Sequence, residues 1–320
     1  MKKALKISAI VIGLLLLVII ALPFLFKGKI QKTVQSEINK NLNAVLTFDG
    51  VGLSLIRHFP DLTVKVKNLV VKGTGDFSAD TLASVPGLSL TLDLASVFGG
   101  SEYKVKQIDL KAPRFLFKVL KNGKVNWDVM KPSATADTVS TPSTFKVYLN
   151  KVSISDMRMV YDDAEIPTML ALDGLTGTMS GDMTADITSL DIKAVVKDIT
   201  ADYDGIRYMS KTTGEITTLL NANLSTWTFT FKDGNLRLND LNIKADGFFA
   251  MPDNGYNMDI KFAAKENTFK AFLSLIPAIY AKDFENVKTS GTMAFDGFVK
   301  GLYSDVSIPA FAVNLKVADG

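Results

Sequence analysis

The 320-residue sequence predicts a mainly β protein with one N-terminal transmembrane helix. Three observations carry this reading. Residues 7–26 hold no charged side chain, several later stretches alternate apolar and polar residues with a period of two, and Asn-Gly and Asp-Gly pairs punctuate those stretches.

The uncharged run Ile7–Phe26 spans about 30 Å at helical rise, the thickness of a bilayer core. Fifteen of its residues are Leu, Ile, Val or Phe, enough to favour insertion despite Ser8, Gly13 and Pro23. A cleaved signal peptide is the rival reading, but its apolar core is usually shorter and no small-x-small cleavage site follows. Lys2, Lys3 and Lys6 precede the run and Lys27, Lys29 and Lys32 follow it, so the positive-inside count alone is a near tie. Ile30, Val34, Ile38, Leu42 and Val45 then recur every three or four residues, predicting an amphipathic helix over 27–46. Two roles for it stand level: lying on the membrane, or packing on the next domain.

From Thr47 the period changes to two. Leu88, Leu90, Leu92 and Leu94 alternate with Ser89, Thr91 and Asp93, and Trp227, Phe229 and Phe231 with Thr228 and Thr230. Tyr256, Met258, Ile260 and Phe262 alternate with Asn257, Asp259 and Lys261, and Phe311, Val313, Leu315 and Val317 with Ala312, Asn314 and Lys316. Each reads as a strand with one apolar face, which suits antiparallel sheets. Asn122-Gly123, Asp233-Gly234 and Asn254-Gly255 read as turns. Lys131 to Thr144, with two prolines and almost no large apolar residue, reads as a linker or long loop. It divides a β segment over 47–130 from a second over 145–320. Phe269, Phe272, Leu273, Leu275 and Ile276 predict one short helix near 268–280, ending at Pro277. Asp319-Gly320 is a turn signal with no strand after it, so the sequence reads as an N-terminal fragment with its C-terminal sheet edge unfinished.

Composition narrows the function. Apolar residues make up 47% and charged residues 22%, which excludes disorder for most of the length. A net charge of +3 with scattered lysines gives no basis for a nucleic-acid partner. With no cysteine there is no disulfide, thiolate metal site or Cys nucleophile, which fits an oxidising compartment. His58, the one histidine, has no neighbouring nucleophile or metal-ligand spacing. Asp162, Asp163 and Glu165 lack a calcium-loop pattern and read as a solvated turn. Gly73-Thr74-Gly75 is a lone GxG and reads as a hairpin turn. Trp127 reads as a cover for one end of a sheet. No enzyme, cofactor or metal is therefore expected.

The order of several motifs carries a resemblance. After the lysine-flanked apolar run and the Ile30 to Val45 stripe come Val51-Gly52-Leu53-Ser54-Leu55-Ile56-Arg57-His58-Phe59-Pro60, Asp80-Thr81-Leu82-Ala83 and Leu90-Thr91-Leu92-Asp93-Leu94. Asn122-Gly123-Lys124-Val125-Asn126-Trp127, Leu273-Ser274-Leu275-Ile276-Pro277-Ala278-Ile279-Tyr280 and Lys288-Thr289-Ser290-Gly291 follow. In this order they resemble the AsmA family of Gram-negative bacteria. The resemblance implies a cytoplasmic tail at 1–6, an inner-membrane anchor at 7–26 and a body in the periplasm. It implies long antiparallel sheets curled into an open apolar groove, as in bridge-like lipid-transfer proteins. The implied role is outer-membrane homeostasis by non-enzymatic carriage of phospholipid. The expected lipid-binding residues are Leu88, Leu90, Leu92, Leu94, Phe229, Phe231, Met258, Ile260 and Phe262. The alternative is an assembly factor whose sheets close on a dry core and whose surface binds an envelope protein. Alternation alone suits both.

Overall fold

The computed structural model describes residues 36, 39–40, 42–55, 58–99, 103–131, 145–183, 187–268, 271–272, 274–275, 290–304 and 306–319. Within them the chain forms one mixed sheet of 15 strands with very few helical residues. The strands are β1 (Ala44–Thr47), β2 (Gly50–Ser54), β3 (Leu62–Gly73), β4 (Thr81–Leu92), β5 (Tyr103–Lys111), β6 (Arg114–Val119), β7 (Phe145–Asp163), β8 (Thr168–Ser180), β9 (Ile187–Tyr203), β10 (Ile206–Asn223), β11 (Thr228–Leu238), β12 (Leu241–Ala250), β13 (Tyr256–Thr268), β14 (Thr292–Tyr303) and β15 (Ala310–Ala318). From β7 to β15 every strand pairs antiparallel with the next, a long meander.

The two segments predicted on either side of the linker share this sheet, and the seam between them is parallel. β5 and β6 act as one broken strand. On either side of the break they hold the same register against β7, with Lys111 opposite Ser155 and Arg114 opposite Arg158. They hold it against β4 too, with Leu88 opposite Leu110 and Ser84 opposite Arg114. A wholly antiparallel expectation is thus corrected. A parallel pair needs a long crossover, and the polar stretch after β6 supplies one without any helical pattern to announce it. Most of that stretch, 132–144, lies outside the described residues.

Three other expectations shift. The helical stripe predicted to reach residue 46 stops earlier. Leu42 bridges to Met130, and Ala44–Thr47 is β1, paired with β3. The Ala44, Leu46, Phe48 alternation buries Ala44 and Phe48 against the sheet, and that tertiary gain overrides the stripe. Asn39, still helical, clamps β1 from outside: its Nδ2 donates to the Leu46 carbonyl at 2.9 Å and its Oδ1 accepts from the Leu46 N–H at 2.7 Å. Leu94 opens a short helix, α1 (Leu94–Gly99), rather than extending β4. Asp93 caps it, accepting the Ser96 N–H at 2.9 Å. Trp227 sits in the turn before β11 with φ 46°. Of the helix predicted near 268–280, the described residues show only Ala271 and Phe272 as helical. The anchor predicted at 7–26 lies outside the described residues. Among those that are described, no helix is long and apolar enough to cross a membrane.

A crease crosses the sheet. Asn68, Ala112, Asp156, Gly174 and Lys211 lie in β3, between β5 and β6, and in β7, β8 and β10, all with φ between 48° and 67°. An inserted left-handed residue bends a strand and advances its alternation by one. Apolar positions change parity there: Ile108 and Leu110 before Ala112, then Phe115 and Phe117; Val152 and Ile154 before Asp156, then Met157, Met159 and Tyr161. Because neighbouring strands all make the shift, their apolar residues still meet, Phe115 opposite Met159 and Met159 opposite Leu172. Side chains on the crease hold it. Arg114 Nη1 donates to the Asp156 carbonyl at 2.6 Å, Lys197 Nζ lies 3.4 Å from Asp156 Oδ1, and Thr176 Oγ1 accepts the Asp156 N–H at 3.0 Å.

Asp233-Gly234 follows the same logic. It lies inside β11, with Asp233 at φ 51° and its N–H donating to Asp246 Oδ1 at 2.7 Å. The turn expected there is a bulge, since both features demand a left-handed residue.

Candidate functional site

Cross-strand register assigns each residue to a face, because directly opposed residues share one. One row runs Val64, Leu90, Ile108, Val152, Met179 and Ile192, through β3, β4, β5, β7, β8 and β9. Two residues along, a second runs Leu220, Phe231, Gly247, Ile260, Val299 and Phe311, through β10 to β15. Together they cross twelve strands, roughly 50 Å at about 4.8 Å per strand. The row next to the first on the other face is Lys65, Ser89, Asp109, Ser153, Thr178 and Lys193. The sheet therefore has one apolar and one polar side over most of its width.

Eight of the nine expected lipid-binding residues lie in strands on the apolar side. Leu90, Phe231 and Ile260 are in the two rows. Leu88 faces Val66 and Leu110, Leu92 faces Leu62, Phe229 and Met258 both face Phe249, and Phe262 faces Ala245. Leu94 stands apart on α1. All nine are half-buried, neither sealed nor fully exposed. In a sandwich core such residues are covered by the opposing sheet. Some side chains on the same side are sealed, among them Val105, opposite Leu92, and Leu190, opposite Leu220.

Aromatic rings thicken this side at two places. Phe262 packs on Phe295, which also meets Phe272 edge-on, and the Phe262 ring lies over Gly297, which has no side chain to oppose it. Past the crease, Phe115 stacks on Phe117, Trp127 meets Phe117 edge-on at 5.9 Å, and Tyr161 follows at 6.3 Å from Trp127. Buried Asn126 fixes this corner: its Oδ1 accepts the Lys118 N–H at 2.9 Å and its Nδ2 donates to the Leu116 carbonyl at 2.8 Å. Trp127 thus covers one end of the sheet, with 39% of its surface exposed.

Tyr161 donates to Asp163 Oδ2 at 2.6 Å, and Asp163 Oδ1 accepts the backbone N–H groups of Glu165 and Ile166, each at 2.9 Å. The acidic cluster is therefore a self-satisfied turn. The Asp163 carboxylate and burial push the Tyr161 hydroxyl up to about 12, and the Tyr161 hydroxyl, with the Ile166 N–H, holds Asp163 below the usual carboxylate value. The signs follow from this. Asp163 contributes stability that is present above the ordinary carboxylate pKa and lost as pH falls through its lowered value. Tyr161 contributes stability that is present below about pH 10 and lost as pH rises through about 12. In an absorbance titration at 295 nm, one phenol absent from Tyr161→Phe should ionise about two units above free tyrosine. Ionisation of every tyrosine near pH 10 would refute the pairing.

These features define a class: a single, wide, two-faced β-sheet whose apolar side is only partly sealed. Among models of known families, the AsmA family matches residues 1–274. The chain belongs to the AsmA family. No curated protein and no solved structure matches it. Membership supports an envelope-associated function in general terms and a typical association with membranes.

Proposed function

We propose that this protein is a non-enzymatic carrier of phospholipid, held at the inner membrane by residues 7–26 with its body in the periplasm. The observation that carries this reading is the half-exposed apolar side, continuous over twelve strands. A soluble monomer rarely exposes a contiguous apolar patch of more than a few hundred Å² without a use for it. Acyl chains crossing water cost about 0.8 kcal/mol per methylene, so one chain costs on the order of 10 kcal/mol unless covered. An apolar floor removes most of that cost with no chemistry.

The test places photo-crosslinking residues at Leu90, Leu92, Phe229 and Ile260 in living cells, with Ser89 on the polar side as reference. Phospholipid adducts are expected at the first four and not at Ser89. Protein adducts alone at all four, with the protein folded and at normal levels, would favour the assembly-factor reading instead.

A further inference from the structure

On the polar side, along the crease, lies a cavity of about 430 Å³ bounded by β3, β4, β5, β7, β8 and β9. Lys65 and Lys111 line it from β3 and β5, with β4 between them. On β4, Gly87 stands opposite both Lys67 and Lys111, and its missing side chain leaves room for the Lys111 arm, whose Cδ lies 3.9 Å from where a Gly87 Cβ would stand. Neither Lys65 nor Lys111 has an ion-pair partner among the described residues. Two strand spacings and an offset of two residues along the strands separate them, roughly 12 Å, a gap that two lysine arms can close onto one anion. Ser89, next along β4, presents a hydroxyl with no partner among the described residues.

The cavity continues across the sheet with Asp109, Ser153 and Thr178 in the same row as Ser89. Gln107 holds the Asp109 carboxylate from the side, at 2.8 and 3.0 Å, leaving acceptor sites open. The Ser153 and Thr178 hydroxyls have no partner among the described residues. A cationic end thus adjoins a stretch of hydroxyls and one carboxylate, which is the complement of a phosphate ester on a polyol.

We propose that this cavity is a binding site for a phosphorylated polyol, with the phosphate between Lys65 and Lys111 and the polyol hydroxyls over Asp109, Ser153 and Thr178. A glycerophosphate group is the simplest such ligand, whether free or as a lipid headgroup. The site lies on the opposite side of the sheet from the apolar rows and does not rest on the lipid-carrier reading.

The test uses the full-length chain in a non-ionic detergent, titrated calorimetrically with glycerol 3-phosphate, inorganic phosphate and glycerol. Saturable binding of glycerol 3-phosphate is expected, with inorganic phosphate weaker and glycerol weakest. Lys65→Gln with Lys111→Gln should weaken glycerol 3-phosphate at least about tenfold, since two charge-assisted contacts are lost. The same pair of changes at remote, exposed Lys232 and Lys316 should leave it unchanged. Ser153→Ala with Thr178→Ala should weaken glycerol 3-phosphate and spare inorganic phosphate. Retention on phosphatidylglycerol vesicles that Lys65→Gln with Lys111→Gln abolishes would identify the lipid headgroup as the source; binding of the free ester alone would identify a soluble one. No saturable binding by the wild-type chain, or binding that the double lysine variant leaves intact, overturns the proposal.

Discussion

Val85→Asp should unfold the protein, whereas Leu90→Asp, five residues along the same strand, should leave it folded. Val85 is 3% exposed and lies opposite Leu69. An aspartate there must bury an unpaired charge or take up a proton, and either route costs several kcal/mol. Leu90 is half-buried in the long apolar row. A carboxylate there reaches water, so the loss is limited to part of one leucine's transfer energy, about 1 kcal/mol. In a chain of this size each kcal/mol moves the melting temperature by about 2–4 °C. Circular-dichroism melts should therefore show Leu90→Asp within a few degrees of wild type and Val85→Asp lowered by about 10 °C or failing to accumulate. Equal, severe destabilisation by both would mean that the apolar rows are a sealed core. Under the carrier reading, Leu90→Asp should also abolish phospholipid capture by a crosslinker at Leu92.

Gly247→Ala should be among the most damaging changes of a single methyl group. Gly247 lies between Phe231 and Ile260 in the second apolar row, with φ 145°. A Cβ built there would stand 2.0 Å from the Asp259 carbonyl oxygen and 2.8 Å from the Ile260 Cα, both backbone atoms that cannot rotate away. β12 and β13 would have to part, and the residue would keep a conformation that costs about 1–3 kcal/mol outside glycine. A total loss of about 3 kcal/mol or more is expected. Gly52→Ala in β2 is the matched control, with an ordinary φ and nothing within 4 Å of the added carbon. It should be neutral or gain up to about 1 kcal/mol by restricting the unfolded chain. Similar melting temperatures for the two variants would show that the β12–β13 pairing tolerates displacement.

Much of the sheet was legible because alternation is a local signal. Leu88 to Leu92, Met258 to Phe262 and Phe311 to Val317 lie in the strands their period predicts. Where reading failed, a local signal served two structures. Asp233-Gly234 offers the left-handed backbone that a hairpin turn and a bulge both require. The stripe from Ile30 to Val45 overlaps the alternation of Ala44, Leu46 and Phe48, and only pairing with β3 decides between them. The parallel seam and the charged cavity were illegible for a different reason. Both depend on which strands become neighbours, as when Gly87 and Lys111 meet across 24 positions of sequence.

The crease limits how such a sheet can change in length. Removing Ala112 alone would leave Lys111 paired with Ser155 while turning Phe115 and Phe117 to the polar side, away from Met159 and Tyr161. The deletion would be harmless only if β3, β4, β7, β8 and their neighbours each lost a residue at the same level. Insertions and deletions are thus forbidden strand by strand but open in the hairpin turns, where a change in length leaves both flanking registers intact. Divergence among chains of this architecture should accordingly accumulate as turns of variable length around a crease whose position, counted in strands, stays fixed.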